Sequence, residues 1–195
     1  MKKFELTSKF ITNIFGTKLF RIKALIEFGN VKAGELGGYI EKEENLSQYG
    51  NAWVCDDAWV YGDARVYGDA WVYGDARVYG DARVYGDAEV YGDARVYGDA
   101  WVYGDARVYG NARVYGDARV CGNDDFATVH GFGSEHRTTT FFRLKDGNIG
   151  VRCGCFYGNL SEFRKKVVET HGETKKAKEY LMIADLMEFR FSDNS

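Results

Sequence analysis

Apolar and polar positions in the middle of the chain recur with a period that fits neither an amphipathic helix nor a long strand. Valine returns every six residues without a break from Val54 to Val120, and an alanine precedes each valine by two, from Ala52 to Ala118. The unit reads V-Y-G-D-A-x, with Arg, Trp or Glu at x. A fixed short period is a stronger fold signal than local propensity. In each A-x-V triplet the two apolar residues share one face of a strand, while x and the following Tyr point the other way. Gly-Asp then marks a turn, because Gly enters positive φ freely and Asp bonds nearby backbone. A chain that turns the same way at every repeat closes a triangular coil after three repeats. The pattern predicts a mainly β protein built around a three-sided parallel β-helix of about four regular coils, roughly 4.8 Å apart. Alanine and valine fill its interior, and each strand bonds to its copy one coil on.

The flanks break the period and predict other elements. Residues 1–48 read as an N-terminal β cap, which an open β-helix requires over its exposed edge and apolar cross-section. There "KLFRIKAL" reads as a strand, and Gly34, Gly37 and Gly38 punctuate the approach to "YIEKEENLS". Residues 49–123 are the β-helix. Residues 124–158 form an irregular last coil and strands: Phe126 and Phe132 keep the valine register, Asp124 replaces alanine, and "TTTFFRLKDGNIGVRCGCF" reads as two strands around Asp-Gly-Asn. Residues 159–195 read as a helical hairpin. Asn159 and Glu162 make a capping box, Phe163 and Val167 share a face, and Gly172 stops the first helix. Ala177, Tyr180, Leu181, Ala184 and Met187 form the stripe of the second. The hairpin is expected to fold back on the end of the prism.

The stretch Tyr49–Asn123 resembles the hexapeptide-repeat, left-handed parallel β-helix family, whose pattern is aliphatic, x, x, x, small, x. The left hand is what this resemblance implies. The flanks "LFRIKALIEFGNVKAGELGGYIEKEENLSQYGNAWV" and "GVRCGCFYGNLSEFRKKVVETHGETKKAKEYL" resemble the ends of hexapeptide-repeat proteins common in phages and prophages, a group often labelled transferase. The resemblance implies a homotrimer and a setting in a bacterial host's cytoplasm.

Folding the sequence on a three-repeat coil sorts the x positions into three rows. They are Trp53, Trp71, Glu89, Arg107; then Trp59, Arg77, Arg95, Arg113; then Arg65, Arg83, Trp101, Arg119. Tyrosines run beside each row. Arg, Tyr and Trp are the residue types enriched at binding hot spots. The candidate binding wall is therefore Trp53, Trp59, Arg65, Trp71, Arg77, Arg95 and Arg113. The tryptophans are expected to project outward and to make an oligomer or protein contact. Arg77, Arg95 and Arg113 are the longest arginine row. Stacked guanidiniums repel, so either turn aspartates neutralise them or an anionic partner does.

Composition narrows the classes. A formal charge of −3 disfavours a dedicated nucleic-acid binder. "MKKFELTSKF" lacks the apolar run of a signal peptide, and no segment reaches membrane-span length. The four cysteines suit a reducing compartment, and Cys55 and Cys121 lie at opposite ends of the prism, too far apart to pair. Aspartate rows such as Asp63, Asp81, Asp99 and Asp117, and the C-x-C of Cys153 and Cys155 with His130 or His136, are weak metal candidates; no metal or cofactor is expected. Hexapeptide acyltransferases use a histidine base and an extruded loop. Here the regular coils contain neither, and the chain's three histidines, His130, His136 and His171, all follow them. The reading is a non-enzymatic binding protein that interferes with a host factor such as a defence system through the outer wall or between subunits. The alternatives are sequestration of an anionic small molecule or nucleotide signal, an acyltransferase using His130 or His136, and a structural spacer.

Overall fold

A computed structural model describes residues 1–132 and 137–192. Strands β1 (Phe4–Thr12), β2 (Lys18–Ala24) and β3 (Leu36–Ile40) precede twelve two-residue strands that recur every six residues. The first side of the prism carries β4 (Trp53–Val54), β7 (Trp71–Val72), β10 (Glu89–Val90) and β13 (Arg107–Val108). The second carries β5 (Trp59–Val60), β8 (Arg77–Val78), β11 (Arg95–Val96) and β14 (Arg113–Val114). The third carries β6 (Arg65–Val66), β9 (Arg83–Val84), β12 (Trp101–Val102) and β15 (Arg119–Val120). All pairings within these sides are parallel, valine against valine and x against x. The protein is thus a parallel β-solenoid of about five turns. Every repeat alanine and valine from Ala52 to Val120 is buried. Turns need glycine for two reasons. Gly80 sits at φ +72, and a Cβ there would lie 3.0 Å from the amide nitrogen of Gly98 in the next coil.

Because all coils run parallel, each amide donates towards the C-terminal end, as in Arg77 N to Ala94 O at 2.9 Å and Tyr79 N to Val96 O at 3.0 Å. The first coil is therefore left with unpaired carbonyls and the last with unpaired amides. The N-terminal segment supplies donors. Lys3 Nζ donates to Ala52 O at 2.8 Å, Asn45 Nδ2 to Ala64 O at 2.8 Å, and the Tyr39 amide to Ala58 O at 2.9 Å. Burial pushes the Lys3 ammonium down to about 8, with Asp69 opposing. The C-terminal segment supplies acceptors. Asn123 Oδ1 receives Arg107 N at 3.0 Å, Thr140 Oγ1 receives Arg113 N at 3.0 Å, and an Asp125 carboxylate oxygen receives Cys121 N at 2.8 Å.

The ladder begins before the V-Y-G-D-A-x pattern does. Tyr39–Ile40 of β3 pairs in parallel with β5, and Leu46 bridges Val66. Ile40 and Leu46 are six apart, but Val54 follows Leu46 by eight, so a two-residue slip hides this coil from a strict count. β3 also continues antiparallel into β2 and β1, joining cap and prism in one seven-stranded sheet.

Beyond the prism, β16 (Phe126–Val129), β17 (Thr139–Arg143), β18 (Ile149–Cys153) and β19 (Phe156–Asn159) form an antiparallel sheet. Its alternation divides two cores. Phe126 and Phe142 plug the prism, whereas Phe141 and Val151 pack against α1 (Leu160–His171) and α2 (Lys175–Phe191). The helical hairpin therefore rests on this sheet rather than on the prism end, because the apolar cross-section is already closed by the sheet. Phe126 holds the valine register, but Phe132 is exposed; the coil has given way to a hairpin by then. The capping box forms, with Asn159 Oδ1 accepting from Glu162 N at 2.9 Å and Glu162 Oε2 accepting from Asn159 N at 2.8 Å.

Candidate functional site

The repeat places one Tyr and one x residue per strand on the outside, so chemistry differs between sides only where x differs. Tyrosines stack along every corner, with ring centroids 4.8 Å apart for Tyr67–Tyr85 and 4.9 Å for Tyr61–Tyr79. Such ring pairs contribute about 0.5–1.5 kcal/mol each beyond area burial. Burial in the stack pushes the Tyr79 phenol up to about 12, against the pull of Arg95 and Arg113. The arginine row and this tyrosine column thus run side by side.

The three sides treat their arginines differently. On the first, Glu89 accepts a hydrogen bond from the Tyr73 hydroxyl at 2.9 Å and lies 3.7 Å from Arg107. On the third, Arg83 and Arg119 lie over Trp101 at 4.9 and 4.3 Å from its ring centre. On the second, Arg77 lies over Trp59 at 4.2 Å. Arg95 and Arg113 below it have no ring beneath them and no ion pair among the described residues. Adjacent strands are about 4.8 Å apart. Two unit charges at that distance repel by roughly 1 kcal/mol in bulk water and about 3 at an effective dielectric constant of 20.

That unrelieved end of the row opens into a basin of about 360 Å³. Arg95 and Arg113 form one wall, and His130, Arg137 and Thr138 from the segment around the first C-terminal hairpin form the other. His130 Nδ1 lies 3.1 Å from Thr138 Oγ1. Asn111 and Asp93 complete the lining. From Asp57 to Asp117 the residue before each repeat alanine is Asp except at Asn111. The one interruption of that Asp57–Asp117 run therefore lies in this basin, beside Arg113.

The seven residues expected on the binding wall do not converge. Trp59, Arg77, Arg95 and Arg113 share the second side, Trp53 and Trp71 lie on the first, and Arg65 lies on the third, in a separate cleft with Arg83 and Glu44. Trp53 is not on the wall at all. It is 0 % exposed, with Phe28 edge-on at 5.3 Å. A Cβ on Gly37 would come within 2.6 Å of its ring, so the cap chain lies directly over the indole. Trp59, Trp71 and Trp101 are half-buried rather than projecting. The alternative that turn aspartates neutralise Arg77, Arg95 and Arg113 by ion pairs is not realised among the described residues. Sequence reasoning missed Asn111, Arg137 and Thr138 as site residues; the interrupted aspartate period was the visible signal for the first.

His130 lines the basin, and His136 lies outside the described residues. All four cysteines are free; Cys153 accepts a hydrogen bond from the Thr139 hydroxyl at 3.1 Å. Among the described residues no three His, Cys, Asp or Glu side chains converge to hold a metal ion, and no helix is long and apolar enough to cross a membrane.

Comparison with curated proteins yields no match. The family described as YdcK Beta solenoid repeat matches four times, at residues 58–74, 76–90, 88–104 and 106–122, all inside the prism. Those coils are similar to that family's repeat, and the chain is a β-solenoid repeat protein.

Proposed function

We propose that the protein is a non-catalytic binding protein that sequesters an anionic ligand on the second side of its prism. The carrying observation is the basin at Arg95 and Arg113, where neither arginine forms an ion pair among the described residues and Asn111 replaces the repeat aspartate. An external anion relieves the repulsion within the row and gains charge-assisted hydrogen bonds. His130 shares the basin with guanidiniums, and its Nδ1 lies 3.1 Å from the Thr138 hydroxyl rather than against a carboxylate among the described residues. That environment suits holding an anion better than activating a hydroxyl. With flanks that resemble phage-type hexapeptide proteins, the proposed use of this capture is withdrawal of an anionic signal from a bacterial host factor.

Calorimetric titration with inorganic phosphate tests the reading. Wild-type protein should bind, and affinity should fall steeply with added salt. Arg113→Glu should weaken binding by tenfold or more while melting stays within a few degrees. Unchanged affinity in both Arg95→Glu and Arg113→Glu would show that the basin is not the site.

A further inference from the structure

Two neighbouring cavities share the turn at Gly154. One is the cationic basin. The other, an apolar cavity of about 230 Å³, opens between the β18–β19 hairpin and the two helices, walled by Phe156, Phe163, Val167 and Tyr180. Arg137 and Gly154 line both. Gly154 has φ +58, and a Cβ there would lie 2.9 Å from Arg137 Nη1. Glycine thus serves both the left-handed turn and the guanidinium that lies against it.

Size and chemistry tie the cavities together. Small-molecule sites ordinarily occupy roughly 300–1,000 Å³. The apolar cavity alone falls short and the basin alone is near the lower end; joined, they lie well inside the range. Aromatic and aliphatic walls accept a flat apolar body, while a few convergent polar groups fix its orientation. The basin offers the guanidiniums of Arg95 and Arg113, neither of which forms an ion pair among the described residues, with the Asp93 carboxylate in the same lining. A carboxylate, with a single charge and two oxygens, matches only one of the two guanidiniums. A phosphate monoester carries about 1.5 to 2 negative charges and three acceptor oxygens, and guanidinium forks match it.

We infer that the two cavities are one amphiphilic site for a phosphate monoester of a flat apolar group, the phosphate between Arg95 and Arg113 and the apolar body against Phe156, Phe163 and Tyr180. This rests on the anion-binding reading above and adds the identity of the rest of the ligand.

The test compares inorganic phosphate with phenyl phosphate by calorimetry on the full chain. Phenyl phosphate should bind tenfold tighter or more, which corresponds to about 1.4 kcal/mol. Thr170 is exposed on the rim of the apolar cavity, so Thr170→Trp should obstruct the cavity without disturbing the core. It should erase the advantage of phenyl phosphate and leave inorganic phosphate within twofold. In wild-type protein, phenol should compete with phenyl phosphate and not with inorganic phosphate. Equal affinities for the two phosphates in wild type, an advantage that survives Thr170→Trp, or no competition by phenol would overturn the inference while leaving the anion site standing. Absence of binding by either phosphate would instead remove the anion site itself.

Discussion

The β10 and β11 strands lie one repeat apart and share the same interior, the same turns and the same tyrosine stacking, yet they face solvent with opposite charge. On the β10 side Glu89 holds the Tyr73 hydroxyl and draws Arg107 towards it. On the β11 side Arg95 stands between Arg77 and Arg113 with no carboxylate paired to it among the described residues. The scaffold is therefore indifferent to what the outer position carries. What distinguishes one side from another sits in departures from the repeat, and Glu89 and Asn111 are two such departures with opposite effects on outer charge. Glu89 adds a counter-charge on one side, and Asn111 removes one from the other.

The strongest challenge to this comparison lies inside. If the two sides differ only outside, Val90→Asp and Val96→Asp should be equally severe. Each buries an unpaired charge in a core of alanine and valine, and losses of about 4 kcal/mol or more are expected in denaturant unfolding. A mild effect on one side would mean that the interiors also differ. A smaller effect comes from the outer charges. Glu89→Arg removes a hydrogen-bond acceptor and an ion pair and extends a like-charged row, so a loss of about 1 kcal/mol is expected. Arg95→Ala should stay within about 0.5 kcal/mol or stabilise, since it relieves repulsion. Equal losses from both would erase the distinction drawn between the sides.

The smallest effect is a shift in titration. Burial raises both columns' phenols, Tyr79 to about 12 and Tyr73 further, where Glu89 adds to the rise. A phenol whose folded value lies above its unfolded value of about 10 stabilises the fold below pH 10. That stability is lost as pH climbs through 12. Tyrosinate absorbance should therefore appear later in the native protein than in urea. Glu89→Gln should move the Tyr73 step down, and Arg95→Gln should move the Tyr79 step up. Identical titration of all three proteins would show that these neighbours exert no field on the stacks.

The prism is legible in the sequence because one physical constraint repeats: two small apolar residues inward, one glycine at the corner. The x rows follow from the same arithmetic, and the pairings of Trp59 with Arg77 and of Trp101 with Arg119 match it. What escaped the sequence depends on distant chain. Trp53 has the outward parity of Trp59, but Phe28 and Gly37 of the cap cover it. No local pattern announces that cover. The coil of Ile40 and Leu46 escaped because the two-residue slip breaks its phase. The basin joins Arg95 and Arg113 to His130 and Thr138, and that meeting is set by how the first C-terminal hairpin crosses the last coil. Asn111 was readable as an exception to the aspartate period, but its meaning needed the neighbour that faces it.

The one-way run of amides along the prism also makes length an independent variable. Donors at the N-terminal end and acceptors at the C-terminal end each answer to the nearest coil alone. An inserted or deleted coil would present the same carbonyls to Lys3 and Asn45 and the same amides to Asn123 and Thr140. The two termini would simply move apart or together in steps of about 4.8 Å. The molecule is in this sense a ruler with fixed end pieces, whose reach can change by whole graduations while the C-terminal basin keeps its shape.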